Sequence, residues 1–313
     1  MVEHLSGAQK EDVEVLLLTC SNATQNMARE NVSKLLEKIG EMIPTNHPNA
    51  EMLRAGKTAI ALLNKEQVSE TELNAAISCY FAALDDPKYA IDAAGQLSQM
   101  LCAMGLAGMP RERLKTMAEE LEEKTKGLGN LPFDFYQGGE LTFHILEEYD
   151  KAIDYAKRAI ECVVENTRPY FMTLYNYVTL MQECGKRLET QPIVEEALPK
   201  IQKLFGENNA TYCCFKMAQV SNLLELKKGQ EVLHVMDELL PIIRQQMGEI
   251  DAMVVESARV RALALIGKKE EALELAKRLR AAFVEIGGED WTQVKALDRI
   301  IQRVQDGYYQ KED

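Results

Sequence analysis

Along residues 147–162 the chain reads EEYDKAIDYAKRAIEC, with Ala152, Ile153, Tyr155, Ala156 and Ala159 at helical intervals and charged residues between them. Apolar side chains three and four apart share one face of a helix, whereas strand residues alternate between faces. The helical rhythm runs through most of the chain, and no run of alternating Val, Ile, Thr and aromatic residues bounded by turn pairs interrupts it. Gly and Pro fall between the periodic stretches, at Pro44, Pro48, Asp86-Pro87, Gly105 to Pro110, Gly185, Gly206, Gly229, Gly267 and Gly287-Gly288. They cut the chain into segments of about 12 to 20 residues, the ordinary length of a globular helix. The expectation is an all-α protein built from many short helices.

The longest interruption is GLGNLPFDFYQGG, residues 127–139, with four glycines and Pro132. It reads either as a hinge between two lobes or as a longer connection in which Phe133, Phe135 and Tyr136 open the next helix, and the second reading is preferred. Within residues 1–49, KEDVEVLLLTC and NMARENVSKLLEKIGEMI predict two N-terminal helices, and the final YYQKED predicts a disordered tail.

The alanines of the 147–162 segment recur. GKKEEALELAKRLR, residues 267–280, sets Ala272, Leu273, Leu275, Ala276 and Leu279 on Ala152, Ile153, Tyr155, Ala156 and Ala159. Weaker copies carry Val232, Leu233, Val235, Met236 and Leu239, and Ile193, Val194 and Ala197. Phase-marking positions 152, 190, 232 and 272 are spaced by 38, 42 and 40 residues. A two-helix unit cannot bury its apolar stripe alone, so it stacks on the next, with alanine where backbones approach and large side chains between units. NAAISCYFAALDDP, residues 74–87, has the same character through Ala76, Ile77, Cys79, Tyr80, Ala83 and Leu84.

On these residues the chain resembles the tetratricopeptide repeat family over roughly residues 50–285. Tyr149, Ala152, Tyr155, Ala156 and Ala159 match its second helix; Tyr136 and Phe143, then Leu174 and Met181, match the bulky positions 4 and 11 of its first helix. Position 8, small in the family, holds Glu140, Val178, Val220 and Val260, which marks a degenerate repeat nearer about 40 residues than about 34. The resemblance implies a right-handed α-α superhelix of stacked antiparallel helix pairs. Divergent repeats would occupy residues 50–126 and clearer ones residues 133–288, with a capping helix and tail over 289–313, where Val294, Leu297 and Ile301 face inward. It further implies a concave groove lined by positions 2, 5, 9 and 12 of the first helices. Carried over by phase, these include Gln137, Leu141 and His144; Met172, Tyr175, Thr179 and Gln182; Met217, Ser221 and Leu224; and Ser257 and Arg261. Members that clamp a C-terminal carboxylate carry Lys and Asn in this groove. Here Tyr175 precedes Asn176 where Lys belongs, and the neighbouring repeats offer Gln137-Gly138 and Met217-Ala218, so no such clamp is expected.

Composition narrows the partner. A formal charge of −13 argues against a surface that tracks phosphates, so no nucleic-acid partner is expected and a basic partner fits the chain as a whole more readily. No apolar run is long enough to span a membrane. An N-terminus of MVEHLSGAQKEDVEV lacks the basic-then-apolar order of a signal peptide, which predicts a cytoplasmic protein. The seven cysteines, without CxxC spacing, read as reduced core thiols, with a redox or soft-metal role for Cys213-Cys214 as the alternative.

Reactive motifs are weak. Arg54-Ala-Gly-Lys-Thr58 contains GKT, but Glu51 stands where a P-loop needs glycine, and the segment reads as helix. GLGNLP lacks a third glycine and a preceding strand. His144, Glu147 and Glu148 share a helical face but lack the second motif that a helical di-metal site requires. No catalytic residue, cofactor or metal is assigned. The expected function is a non-catalytic scaffold that binds a protein or peptide, with homodimerisation through an open end of the stack as a further possibility. A peptide-responsive regulatory sensor and an all-helical enzyme using His144 and Glu147 are the alternatives.

Overall fold

The computed structural model describes residues 50–63 and 66–310, together with Lys34, so the two helices expected within residues 1–49 and the end of the YYQKED tail lie outside the described residues. The described residues form thirteen α-helices, one 3-10 turn and no strand. Contacts divide the chain into two units, residues 1–163 and 164–313. The first holds α1 (Ala50–Leu63), α2 (Glu70–Ala83), α3 (Ala90–Leu106), α4 (Arg111–Thr125), α5 (Phe133–Ile145) and α6 (Tyr149–Glu161). The second holds α7 (Arg168–Glu183), α8 (Arg187–Phe205), α9 (Ala210–Glu225), α10 (Gly229–Gln246), α11 (Glu249–Leu265), α12 (Lys269–Gly287), α13 (Thr292–Gln305) and the 3-10 turn Tyr308–Gln310.

Local chemistry starts several of these helices. Ser69 and Glu72 form a reciprocal capping box at α2: Glu72 N donates to Ser69 Oγ at 3.2 Å, and Ser69 N donates to Glu72 Oε2 at 3.0 Å. Thr167 caps α7, which has Pro169 in its first turn, and Asn209 caps α9. Such side chains satisfy amides that would otherwise face the helix end unpaired.

The first helices α5, α7, α9 and α11 end in one recurring turn. At Glu147, Gly185, Lys227 and Gly267 the backbone takes a positive φ of 60°, 78°, 56° and 83°. The following residue then donates its amide to the carbonyl five residues back, at 2.9 Å in all four cases: Glu148 to Phe143, Lys186 to Met181, Lys228 to Leu223 and Lys268 to Leu263. This is the Schellman motif, in which a left-handed residue lets the chain close over the last helical carbonyls. Gly108, with Met109 donating to the Met104 carbonyl at 3.0 Å, makes the same turn after α3. The connection is three residues long after α5, α7, α9 and α11, so the second helix returns along the first.

Within the second unit, α7, α9 and α11 pack on one another in order, and α11 on α13. The second helices α8, α10 and α12 each pack against the first helix of their own pair and that of the next. Val178, Val220 and Val260 occupy one repeat position and are each 1 % exposed or less. Burying each such valine stabilises by about 1.5 to 3 kcal/mol. The second-helix alanines Ala272 and Ala276 are fully buried where backbones approach, and Phe171 meets Phe215 edge-on with ring centroids 6.2 Å apart. Val294 and Leu297 of α13 are buried and Ile301 half-buried. The tail departs from expectation: Tyr308–Gln310 is a turn packed on α11 and α13, so disorder does not extend through YYQ.

The first unit repeats this plan, with α1 on α3, α3 on α5, and α5 paired with α6. Its α5 starts at Phe133, so Phe133, Phe135 and Tyr136 open a helix as preferred above, and only the earlier part of residues 127–139 is a connection. Gly138 and Gly139 lie inside this helix. A Cβ on Gly138 would fall 2.5 Å from the Ser98 backbone, and one on Gly139 2.2 Å from the Tyr155 ring. These glycines therefore set close approach to α3 and α6 instead of ending a helix. Glu140, at the repeat position that holds Val178, Val220 and Val260 elsewhere, is 4 % exposed.

Candidate functional site

Within the second unit α9 and α11 each lie between two first helices, α7 packs on α9, and second helices lie behind all three, which leaves one stripe of each partly exposed. On α7 that stripe carries Met172, Tyr175 and Thr179; on α9, Cys214, Met217 and Ser221; on α11, Val254, Ser257 and Arg261. Met172 is 38 % exposed and the others are half-buried. Spacing of three and four residues keeps each trio on one face.

The trios abut because α7, α9 and α11 pack in sequence. Thr211 on α9 donates to Met172 Sδ on α7 at 3.7 Å. Tyr175 lies 5.9 Å from the buried ring of Phe215, centroid to centroid. Burial pushes the Tyr175 phenol above its ordinary value, Cys214 and Glu183 add to this, and a hydrogen bond with Thr179 opposes it. Tyr175 is consequently a neutral hydroxyl on an apolar base at ordinary pH. Burial also raises the Cys214 thiol, and it raises that of Cys213 to about 11. Thiols held protonated are poor nucleophiles and poor metal ligands, which leaves the redox reading of this pair without support.

Two expected groove residues face the interior instead. Gln182 is 8 % exposed, and its amide donates to Asn222 Oδ1 at 2.8 Å, to the Ala218 carbonyl at 3.0 Å and to Thr190 Oγ1 at 3.3 Å. Leu224, at the same repeat position, is buried in the core shared with α10 and α11. Position 12 therefore turns inward here, and positions 2, 5 and 9 alone remain open. Cys214 and Val254 were missed in the sequence, although adding the 42- and 40-residue spacings to Met172 reaches both.

Gln137, Leu141 and His144 belong to α5, in the first unit. Gln137 Oε1 accepts from Gln99 Nε2 at 3.4 Å, and His144 lies 6.0 Å from the Tyr149 ring, centroid to centroid. The carboxylates near His144 are engaged elsewhere, Glu147 with Arg111 at 3.2 Å and Glu148 with Lys115 at 2.7 Å. Among the described residues no three His, Cys, Asp or Glu side chains gather as a metal site. The GKT segment lies within α1, where its amides are spent on helical hydrogen bonds. No helix among the described residues is long and apolar enough to cross a membrane.

No protein-family model and no curated protein matches the chain. Among solved structures it is similar to a Rap protein complexed with competence and sporulation factor, with a TM-score of 0.58 and 15 % identity, over 96 % of this chain and 73 % of that one. It is also similar to BtubC (BKLC) from P. vanneervenii, with a TM-score of 0.51 and 16 % identity, over 69 % of this chain and 93 % of that one. At such identities the likeness is one of architecture: the chain has a helical-repeat fold.

Proposed function

We propose that this chain is a non-catalytic, tetratricopeptide-like scaffold that binds an extended peptide or a peptide-like segment of a partner protein on the open stripes of α7, α9 and α11. The observation that carries this reading is the set of three adjacent trios, in which adaptable apolar side chains (Met172, Tyr175, Met217, Val254) alternate with hydroxyls (Thr179, Ser221, Ser257) on packed helices. Methionine and tyrosine fit varied apolar partners, and hydroxyls can bond a peptide backbone whatever its sequence. The likeness to a Rap protein crystallised with a bound factor supports a ligand-binding role for this architecture.

The test is panning of a random linear peptide library on phage against the immobilised chain. Wild type should retain peptides that Tyr175→Ala and Met217→Ser each lose, with far-UV circular dichroism showing both variants folded. Retention indifferent to both changes would show that the ligand sits elsewhere.

The same likeness favours a second reading, a peptide-responsive regulatory sensor. Small-angle scattering with a retained peptide separates the two, since a sensor changes its radius of gyration on binding and a passive scaffold does not.

A further inference from the structure

We infer that the ligand of this face carries an acidic side chain, and that Arg261 on α11 is the residue that receives it; this inference rests on the binding face proposed above. Four arginines of the second unit are half-buried: Arg187, Arg259, Arg261 and Arg280. Arg187 holds Glu225 at 3.5 Å, Arg259 holds Asp237, and Arg280 holds Glu289 at 2.7 Å and Asp298 at 2.6 Å. Arg261 alone has no ion pair, hydrogen bond or ring contact among the described residues.

Shortage of acid does not explain this, because the chain has 49 Asp and Glu residues against 36 Lys and Arg. A guanidinium is always charged, and Arg261 keeps its N–H groups in reach of solvent with no carboxylate among the described residues beside them. Its immediate surroundings fit a receiving site. Ser221 stands at the equivalent position of α9, the neighbouring first helix, and its hydroxyl has no partner among the described residues. Ser257, one turn before Arg261, donates back to the Val254 carbonyl at 2.7 Å, so its oxygen is open to a ligand's backbone N–H and the acid falls to Arg261 and Ser221. Met217 on α9 and Val254 on α11 border this polar end, and Tyr175 and Met172 continue the apolar shelf on α7.

A ligand matching this order has an aspartate or glutamate at the α11 end and a large apolar side chain towards α7. Arginine can bind the carboxylate through two parallel N–H donors, with the Ser221 hydroxyl as a third. In the unbound chain Arg261 is the one charge of the face that pairs with nothing, so the acid supplies register as well as affinity.

The experiment sequences peptides retained from the random library by wild type, by Arg261→Gln and by Tyr175→Ala. A peptide retained by wild type is then synthesised in its acidic form and as its Glu→Gln analogue, and both are titrated by fluorescence anisotropy. The expected result is enrichment of Asp or Glu in the wild-type pool and its loss with Arg261→Gln. Affinity should fall about tenfold or more when either the peptide acid or Arg261 is neutralised, and no further when both are. Peptides lost to Tyr175→Ala that show no acidic enrichment and bind Arg261→Gln unchanged would overturn the inference and leave the binding face intact. Peptides indifferent to both variants would overturn the two together.

Discussion

The Gln182 amide donates to Asn222 Oδ1 at 2.8 Å, joining the end of α7 to α9, and Thr190 Oγ1 of α8 meets the same oxygen at 3.0 Å. Three helices thus meet at one buried oxygen, while Asn222 Nδ2 on the same side chain has no partner among the described residues. Asn222→Ala removes one of three acceptors of the Gln182 amide, which keeps the Ala218 carbonyl and Thr190 Oγ1, and should lower stability by about 1 kcal/mol, read from urea unfolding followed by circular dichroism. Ser221→Ala, one residue away on the open stripe, should stay within about 0.5 kcal/mol of wild type. Equal losses from the two would mean that this junction contributes nothing particular.

Glu140 predicts a pH effect of definite sign. Burial raises its carboxyl from 4.5 to about 7. Between those values the folded chain keeps the proton and the unfolded chain releases it, so the contribution of Glu140 to stability is greatest below pH 4.5, falls as pH rises through this window and levels off above about 7. Glu140→Val removes the loss and installs the side chain found at this position in three other repeats. The gain over wild type should grow with pH towards about 3 kcal/mol at pH 8. A Tm difference that is the same at pH 5 and pH 8 would contradict the buried-acid account.

The Schellman turns predict opposite effects for opposite exchanges. Gly185→Ala and Gly267→Ala force a Cβ into the left-handed region and should each cost about 1 kcal/mol. Lys227→Gly relieves that strain and should stabilise by about 0.5 kcal/mol after the entropy of a freer unfolded chain is counted. Thermal melts of the three variants check this, and a destabilised Lys227→Gly would show that its side chain matters more than its backbone.

Gly138→Ala should destabilise by about 1 to 3 kcal/mol, since its methyl would meet the Ser98 backbone, which cannot rotate away as a side chain can. Gly129→Ala, where a Cβ meets nothing within 4 Å, is the matched control and should be close to neutral. If both are neutral, the approach of α3 and α5 is looser than described.

These sites show what could be read from the residues alone. The helical class and the hairpin register were legible because Ala152, Val232 and Ala272 mark the buried phase of a 3.6-residue period, and periodicity survives loss of sequence identity. Phase also set Tyr175, Met217, Ser221 and Arg261 at matching positions of three first helices, where all four are half-buried. It failed at Gln182 and Leu224, because position 12 meets the neighbouring helices, where Gln182 finds Asn222 and Leu224 joins the core of α10 and α11. It failed at Gly138 and Gly139 for a related reason: glycine breaks a helix in isolation, but here the missing side chains admit Ser98 and Tyr155. The partial charge balance at Arg261 was invisible in one dimension, because it depends on which acids lie within reach.

The two edges of the second unit differ in length tolerance. Links 184–186, 226–228 and 266–268 are fixed at three residues by the αL turn, whereas 206–209, 247–248 and 288–291 vary between two and four. One margin works as a ruler and the other as slack, so a tag, reporter or grafted loop belongs at Asn208 or Glu289. The same insertion at Gly185 would shift every residue beyond it out of phase.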